Sequence, residues 1–274
     1  MMIPLICIDV DGTLVGASGA VTDEVWAAVD QALARGQQLA LSTARGAFGS
    51  AWDMAQRLNP SGWHVFHAGG AIVHSQNGES RGHALPAEAL AELRAIEQRP
   101  ENADWLLELY SPGAYAVEDG SKPAVEHAGL MGLPFEPTSF DGFIADHDSI
   151  VRAQMVVPVA DIAAVQKQLA PLGLSTSSAT SPIMVGTAFV SITQPGITKA
   201  TGISRICDEL GLTIDQVMMI GDGLNDLPAI EAVGHPVAMG NAEDEVKAIA
   251  HHIVADVEDD GVAEALALSA TLEP

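Results

Sequence analysis

Cysteine is nearly absent from this 274-residue sequence: Cys7 and Cys207 are its only two. Both lie in apolar patterns where burial is expected, which excludes a disulfide framework and makes a reduced, cytoplasmic protein the simplest expectation. Basic residues are scarce as well, 12 against 36 acidic ones, for a net charge of −24. A surface of that sign repels nucleic acid and anionic membranes, so neither is expected as a partner. No stretch approaches the ~20 apolar residues of a membrane span. The N-terminus also lacks the basic region, apolar core and small-residue cleavage site of a secretory signal. Oligomeric state stays open between a monomer and a weak dimer.

What is present is a hydrophobic content of 48%, enough to bury the core of one large or two modest domains. The most informative stretch comes early. Ile3 to Ile8 reads as a buried strand, and it ends in Asp9-Val10-Asp11-Gly12-Thr13. Side chains alternate along a strand, so Asp9 and Asp11 fall on one side of its C-terminal tip. Two carboxylates that close resist joint ionisation unless a cation neutralises them, so the pair indicates a magnesium site or a shared proton.

The rest of the chain alternates strands and helices. Helices are expected over 22–35 and 47–58, strands over 38–41 and 63–67, and a hairpin over 73–84 around Asn77-Gly78. Such alternation implies right-handed βαβ units and a parallel sheet. From about residue 85 the pattern changes to strands joined by tight turns (106–111, 114–118, 150–157, 184–192) with helices over 86–98, 123–131 and 159–169. This suggests a small antiparallel sheet with helices on one face. The first pattern resumes with a helix over 200–210, the apolar strand Val217–Ile220, a helix over 227–233, a strand over 236–239, and helices near 243–250 and 260–269. The expected fold is therefore α/β, a doubly wound parallel-sheet core made of 1–83 plus 189–274 with an inserted α+β domain over 84–188. The run Glu258-Asp259-Asp260 suits a helix N-terminus, where negative charge is favourable.

Three further motifs lie at strand tips or helix starts. Ser42-Thr43-Ala44-Arg45 follows the second strand, and a hydroxyl there can donate to a phosphoryl oxygen. Lys199 sits just ahead of a helix, a compact cation suited to phosphoryl charge, and it is one of only four lysines, with Lys122, Lys167 and Lys247. Gly221-Asp222-Gly223-Leu224-Asn225-Asp226 ends an apolar strand, where acidic side chains and glycines suit a hard cation with oxygen ligands. His67, His235, His251 and His252 match no zinc spacing.

Together these four motifs, in this order, resemble those of the haloacid-dehalogenase-like phosphohydrolases. The insertion between the second and third motifs is similar to the Cof-type branch, whose α/β cap selects the substrate. Two departures stand out: Gly69-Gly70 where the family often has Asn-Gly, and Ala44 where it has Gly. The resemblance implies magnesium-dependent hydrolysis of a small phosphomonoester, such as a sugar phosphate, through an aspartyl-phosphate. It assigns Asp9 as nucleophile and Asp11 as acid and base, with Thr43 (Ser42 being the other reading) and Lys199 on the phosphoryl charge. Arg45 and Asn225 would contact substrate. Asp9, Asp222, Asp226 and the Asp11 backbone carbonyl would hold Mg2+. A phosphomutase or phosphotransferase, or a low-turnover protein that binds a phosphorylated metabolite, remain alternatives; a dehalogenase would not need Asp11.

Overall fold

The computed structural model describes residues 2–180 and 183–273. The chain opens with β1 (Leu5–Ile8), every residue of which is buried, and α1 (Asp23–Ala34), β2 (Gln38–Leu41), α2 (Gly49–Leu58), β3 (Trp63–Phe66), β4 (Ala71–His74) and β5 (Ser80–Gly82). Next come α3 (Ala87–Glu97), β6 (Leu106–Tyr110), β7 (Tyr115–Ala116), α4 (Lys122–Leu130), α5 (Phe140–Asp146), β8 (Arg152–Pro158), α6 (Ile162–Leu169), β9 (Ser175–Thr180) and β10 (Thr187–Thr193). The last part holds α7 (Lys199–Leu210), β11 (Val217–Gly221), α8 (Leu227–Ala232), β12 (His235–Ala238), α9 (Asp244–Ile249), β13 (His252–Ile253) and α10 (Gly261–Ser269).

The chain divides into two compact units, Met1–Arg45 with Ala51–Arg81 and Thr198–Pro274, and Gly46–Ser50 with Gly82–Ile197. In the first unit a parallel sheet runs in the order β13-β12-β11-β1-β2. Its central strands, β1 and β11, are fully buried, as expected when helices cover both faces of a parallel sheet. α1 packs with α10, and α7 with α8 and β3. Thr22 caps α1, its Oγ1 accepting from the Val25 amide at 3.2 Å. β3 departs from a continuous parallel sheet. It pairs antiparallel with β4, and a parallel bridge between Ser42 and Val65 joins it to the residue after β2. Cys7 and Cys207 are both buried and free.

The inserted unit holds a five-stranded sheet in the order β7-β6-β8-β10-β9, with all four neighbouring pairs antiparallel. One face packs Leu107, Leu109, Met155, Val190 and Ile192 against Leu93 of α3 and Val165 of α6. The return to the first unit falls at Ile197, later than the hydrophobic pattern suggested, because β10 lies inside this sheet between β8 and β9. Three elements have no counterpart in the sequence reading, one of them the two-residue strand β13. The helix α5 is short but buries Phe140 and Phe143, and β9 has the unpatterned sequence Ser-Thr-Ser-Ser-Ala-Thr.

Within the first unit His64 is fully buried and its tautomer is fixed. The Leu41 amide donates to Nδ1 at 3.0 Å, so Nε2 carries the hydrogen and donates to the Asn59 carbonyl at 3.1 Å. Burial holds its pKa down, at about 4 against 6.5 for a free histidine, with the Asn59 carbonyl opposing. Between those values the unfolded chain binds the proton and the native one does not. Stability from this site is therefore full above pH 6.5 and is lost as pH falls toward 4, with a slope of up to ~1.4 kcal/mol per pH unit. Urea unfolding from pH 7.5 to 4 should show that loss. His64→Gln should flatten it, and an unchanged slope in the variant would contradict the assignment.

Candidate active site

The site is built at the C-terminal tips of β1 and β11, which are neighbours in register from Leu5–Val217 to Ile8–Ile220. Asp9 follows β1 directly and is 4% exposed. After it the chain folds back on itself, the Leu14 amide donating to the Asp9 carbonyl at 3.2 Å and Val15 to Val10 at 2.9 Å. Gly12 takes φ +86°, and a Cβ there would strike the Asp222 carboxylate. Only glycine lets the two strand tips come that close. Thr13 Oγ1 then donates to Asp222 Oδ1 at 2.7 Å.

Lys199 joins the two tips. It is the first residue of α7 and is 1% exposed. Its Nζ donates to Asp9 Oδ1 at 2.5 Å and to Asp226 Oδ1 at 2.6 Å. The second Asp226 oxygen accepts from the Asp222 and Gly223 amides, each at 3.1 Å. Asp226 thus fixes both the lysine and the loop that carries Asp222. Burial would lower the Lys199 pKa, but Asp9 and Asp226 outweigh it and raise it. Burial pushes Asp9 up to about 7 against the pull of Lys199, with Asp226 adding to the rise. Asp222 is also raised, first by burial, with the Thr13 hydroxyl opposing.

One oxygen from each of Asp9, Asp222 and Asp226 lies within 4.8 Å of the others. Two of those carboxyls resist ionisation, and all donors are hard oxygens, the set that suits magnesium and not a soft metal. The residues therefore fit the cation their sequence pattern implied. Three carboxyl groups in one small space call for positive charge beyond that of one lysine.

The other expected residues fall into two groups. Thr43 is buried, and its hydroxyl accepts from the Arg45 amide at 3.1 Å, which leaves its own hydrogen to donate. Ser42 is also buried, and its Oγ has no partner among the described residues. The loop that bears Thr43 is pinned from β3, since the Thr43 carbonyl accepts from Ala68 and the Arg45 carbonyl from His67, both at 2.9 Å. Asp11 points elsewhere than Asp9. Its carboxylate is exposed and held by Arg45, whose Nε and Nη2 donate at 3.0 and 2.5 Å. Asn225 is exposed on the β11 loop, while the Lys199 ammonium is engaged by Asp9 and Asp226.

Gly69 stands where the family often has Asn, and the local geometry here requires glycine. It has φ +101°, and a Cβ would collide with the Thr198 carbonyl at the start of α7. His67 and Ala68 before it also have positive φ, at 52° and 54°. This strained turn seats the helix that carries Lys199. The sequence reading assigned no role to Thr13 or Asn241. Asn241 donates to the Gly12 carbonyl at 2.7 Å and accepts from the Val257 amide at 3.0 Å, so it braces the first loop from the loop that follows β12. Its one signal was a polar residue after Gly240 at a strand tip.

The family profile described as haloacid dehalogenase-like hydrolase matches residues 6–266. The chain belongs to that family. Among haloacid dehalogenase-like relatives, the Streptococcus pyogenes serotype M6 protein M6_Spy0533 is 28% identical, over 97% of this chain and 98% of its own. The 5-amino-6-(5-phospho-D-ribitylamino)uracil phosphatase YcsE of Bacillus subtilis is 27% identical, over 96% of this chain and 94% of its own. A crystal structure of a haloacid dehalogenase-like hydrolase from Bacteroides thetaiotaomicron superposes with a TM-score of 0.83 at 26% identity, covering 96% of this chain and 98% of the other.

Proposed function

We propose that this haloacid dehalogenase-like enzyme is a magnesium-dependent phosphatase of small phosphomonoesters that works through an aspartyl-phosphate on Asp9. The observation that carries the reading is the buried triad Asp9–Lys199–Asp226 with Asp222 beside it. A carboxylate nucleophile for phosphorus must be buried, oriented and neutralised. Lys199 orients Asp9 through one oxygen, which leaves the other to attack. The relative from Bacillus subtilis is named for a phosphorylated ribitylaminouracil. A sugar or polyol phosphate of similar size is the substrate class we assign here.

In the first half-reaction an Asp9 oxygen forms a bond to phosphorus while the bond from phosphorus to the ester oxygen breaks. Asp11 gives its proton to that departing oxygen. It can do so once its carboxyl exchanges the Arg45 guanidinium for the leaving group, which frees Arg45 for the phosphoryl oxygens. In the second half-reaction Asp11 takes a proton from water, the water oxygen bonds to phosphorus, and Asp9 is released. Thr43 and Lys199 supply donors to the charge that builds on the phosphoryl oxygens. Asp9, Asp222, Asp226 and the Asp11 backbone carbonyl would hold magnesium, which when bound offsets the anionic charge of both carboxylate and phosphoryl group. Asp226, already accepting from Lys199 and two amides, serves mainly to position them. Asn225 is the remaining substrate-facing candidate of the β11 loop. The four motifs all lie in the first unit, so we assign substrate choice to the inserted one.

Removal of divalent cations tests the reading. Hydrolysis of a sugar phosphate should fall by ~10²-fold or more in excess chelator, a loss of several kcal/mol of charge stabilisation, and return on adding magnesium. Undiminished phosphate release in a rigorously chelated sample would rule out the site as drawn.

A further inference from the structure

Residues 168–198 contain no ionisable side chain at all, in a chain that carries 36 acidic residues and a net charge of −24. That neutral run contains β9, one of the two edge strands of the sheet in the inserted unit. β9 pairs along its whole length with β10, from Ser175–Thr193 to Thr180–Ala188, so its outer edge carries a row of backbone groups that the sheet itself does not use. Residues 176–180 are all exposed. Beyond the strand, Ile183 and Val185 are 74% and 86% exposed, the two most exposed large hydrophobic residues described. Soluble proteins usually blunt such an edge with lysine, proline, a bulge or a covering element. The Ser-Thr-Ser-Ser-Ala-Thr edge has no charge, no proline and no bulge in its register.

We propose that this edge is a self-association surface, on which β9 of a second copy of the chain pairs antiparallel. Charge selects the occupant. Two copies at −24 each repel across most of any shared surface, and the neutral run is where that repulsion is least. A basic partner would be drawn to the acidic surfaces instead of this one. Antiparallel pairing of one strand with itself is isologous and closes as a dimer. It would join the two five-stranded sheets into one and set serine and threonine hydroxyls opposite one another, a favourable cross-strand arrangement. One strand edge buries much less than the ~1,600 Å² of a standard interface, so the dimer is weak and reversible.

Sedimentation equilibrium over roughly 1–500 µM, the range appropriate to a small interface, should show the mass rising from 28.4 kDa toward twice that value. Ser177 and Ala179 are exposed and on one face of β9, and replacing both by Glu puts like charges opposite each other. S177E/A179E should raise the dissociation constant by at least ~10-fold without loss of folding by circular dichroism. Both native cysteines are buried, so single cysteines at 176, 177, 178 or 179 provide an independent test. Mild oxidation should give a covalent dimer that peaks at one central position. A mass fixed at 28.4 kDa throughout, or a dimer indifferent to S177E/A179E, or cross-linking equal at all four positions and at a distant surface site, would each overturn the proposal.

Discussion

Asp9→Asn is expected to abolish phosphate release altogether, on natural and activated substrates alike. The amide has almost the same shape, so the strand tip should survive, and Lys199 still has Asp226 at 2.6 Å. What is lost is the oxygen that bonds to phosphorus. Asp11→Asn separates the two carboxylates. Its amide can neither protonate a poor leaving group nor activate water, so sugar phosphates should be barely cleaved. A nitrophenyl phosphate needs no proton donor and should still phosphorylate Asp9, giving a burst of about one nitrophenol per enzyme before slow turnover, the kinetic mark of a covalent intermediate. Stopped-flow absorbance checks this. A variant at position 9 that still turns over, or an Asp11→Asn enzyme with no burst, would count against these roles.

Lys199→Ala has the second largest expected effect, for two additive reasons. It removes a preorganised donor from the phosphoryl charge, a loss of ~10²-fold or more in rate. It also leaves Asp9 and Asp226 buried with no cation between them, and breaking a buried pair in this way costs roughly 3–5 kcal/mol of stability. Both should appear together, as a lower kcat and a lower melting temperature, and magnesium should recover part of the stability but little of the rate. Lys122→Ala is the control. That lysine is exposed and paired with Glu126 one helical turn away, so rate and stability should hardly change. Equal losses at both positions would show that Lys199 has no special place.

The parts of this molecule that could be read from sequence are those where the local pattern and the final environment agree. β1 and β11 are continuous apolar runs because both faces of their sheet are covered, and the acidic residues that end them stand at adjacent tips in register. α7 was legible from Ile203, Ile206 and Cys207 on one face and from Gly211, which takes the left-handed conformation at its end. β9 was not legible, because an exposed edge strand has no buried face to impose a period of two. Asn241 was hidden for a different reason. Its contact with Gly12 spans 229 positions, and locally it shows only as a polar residue after Gly240. The engagement of Asp11 by Arg45 was equally invisible, since the spacing that aligns Asp9 and Asp11 on a strand ends where the chain folds back after Asp9. Asp226 was read as a ligand, yet its four-residue spacing from Asp222 also lets it accept from the amides of its own loop.

The central claim is that phosphate is carried by Asp9, and the most direct measurement is to find it there. Asp11→Asn enzyme mixed with nitrophenyl phosphate and magnesium, quenched in acid within the burst, and digested for mass spectrometry should show one added phosphoryl group on the peptide containing Asp9. Reduction with borohydride should convert that residue, and no other aspartate, to homoserine. Phosphate on any other residue, or a full burst with no phosphorylated peptide, would contradict the account.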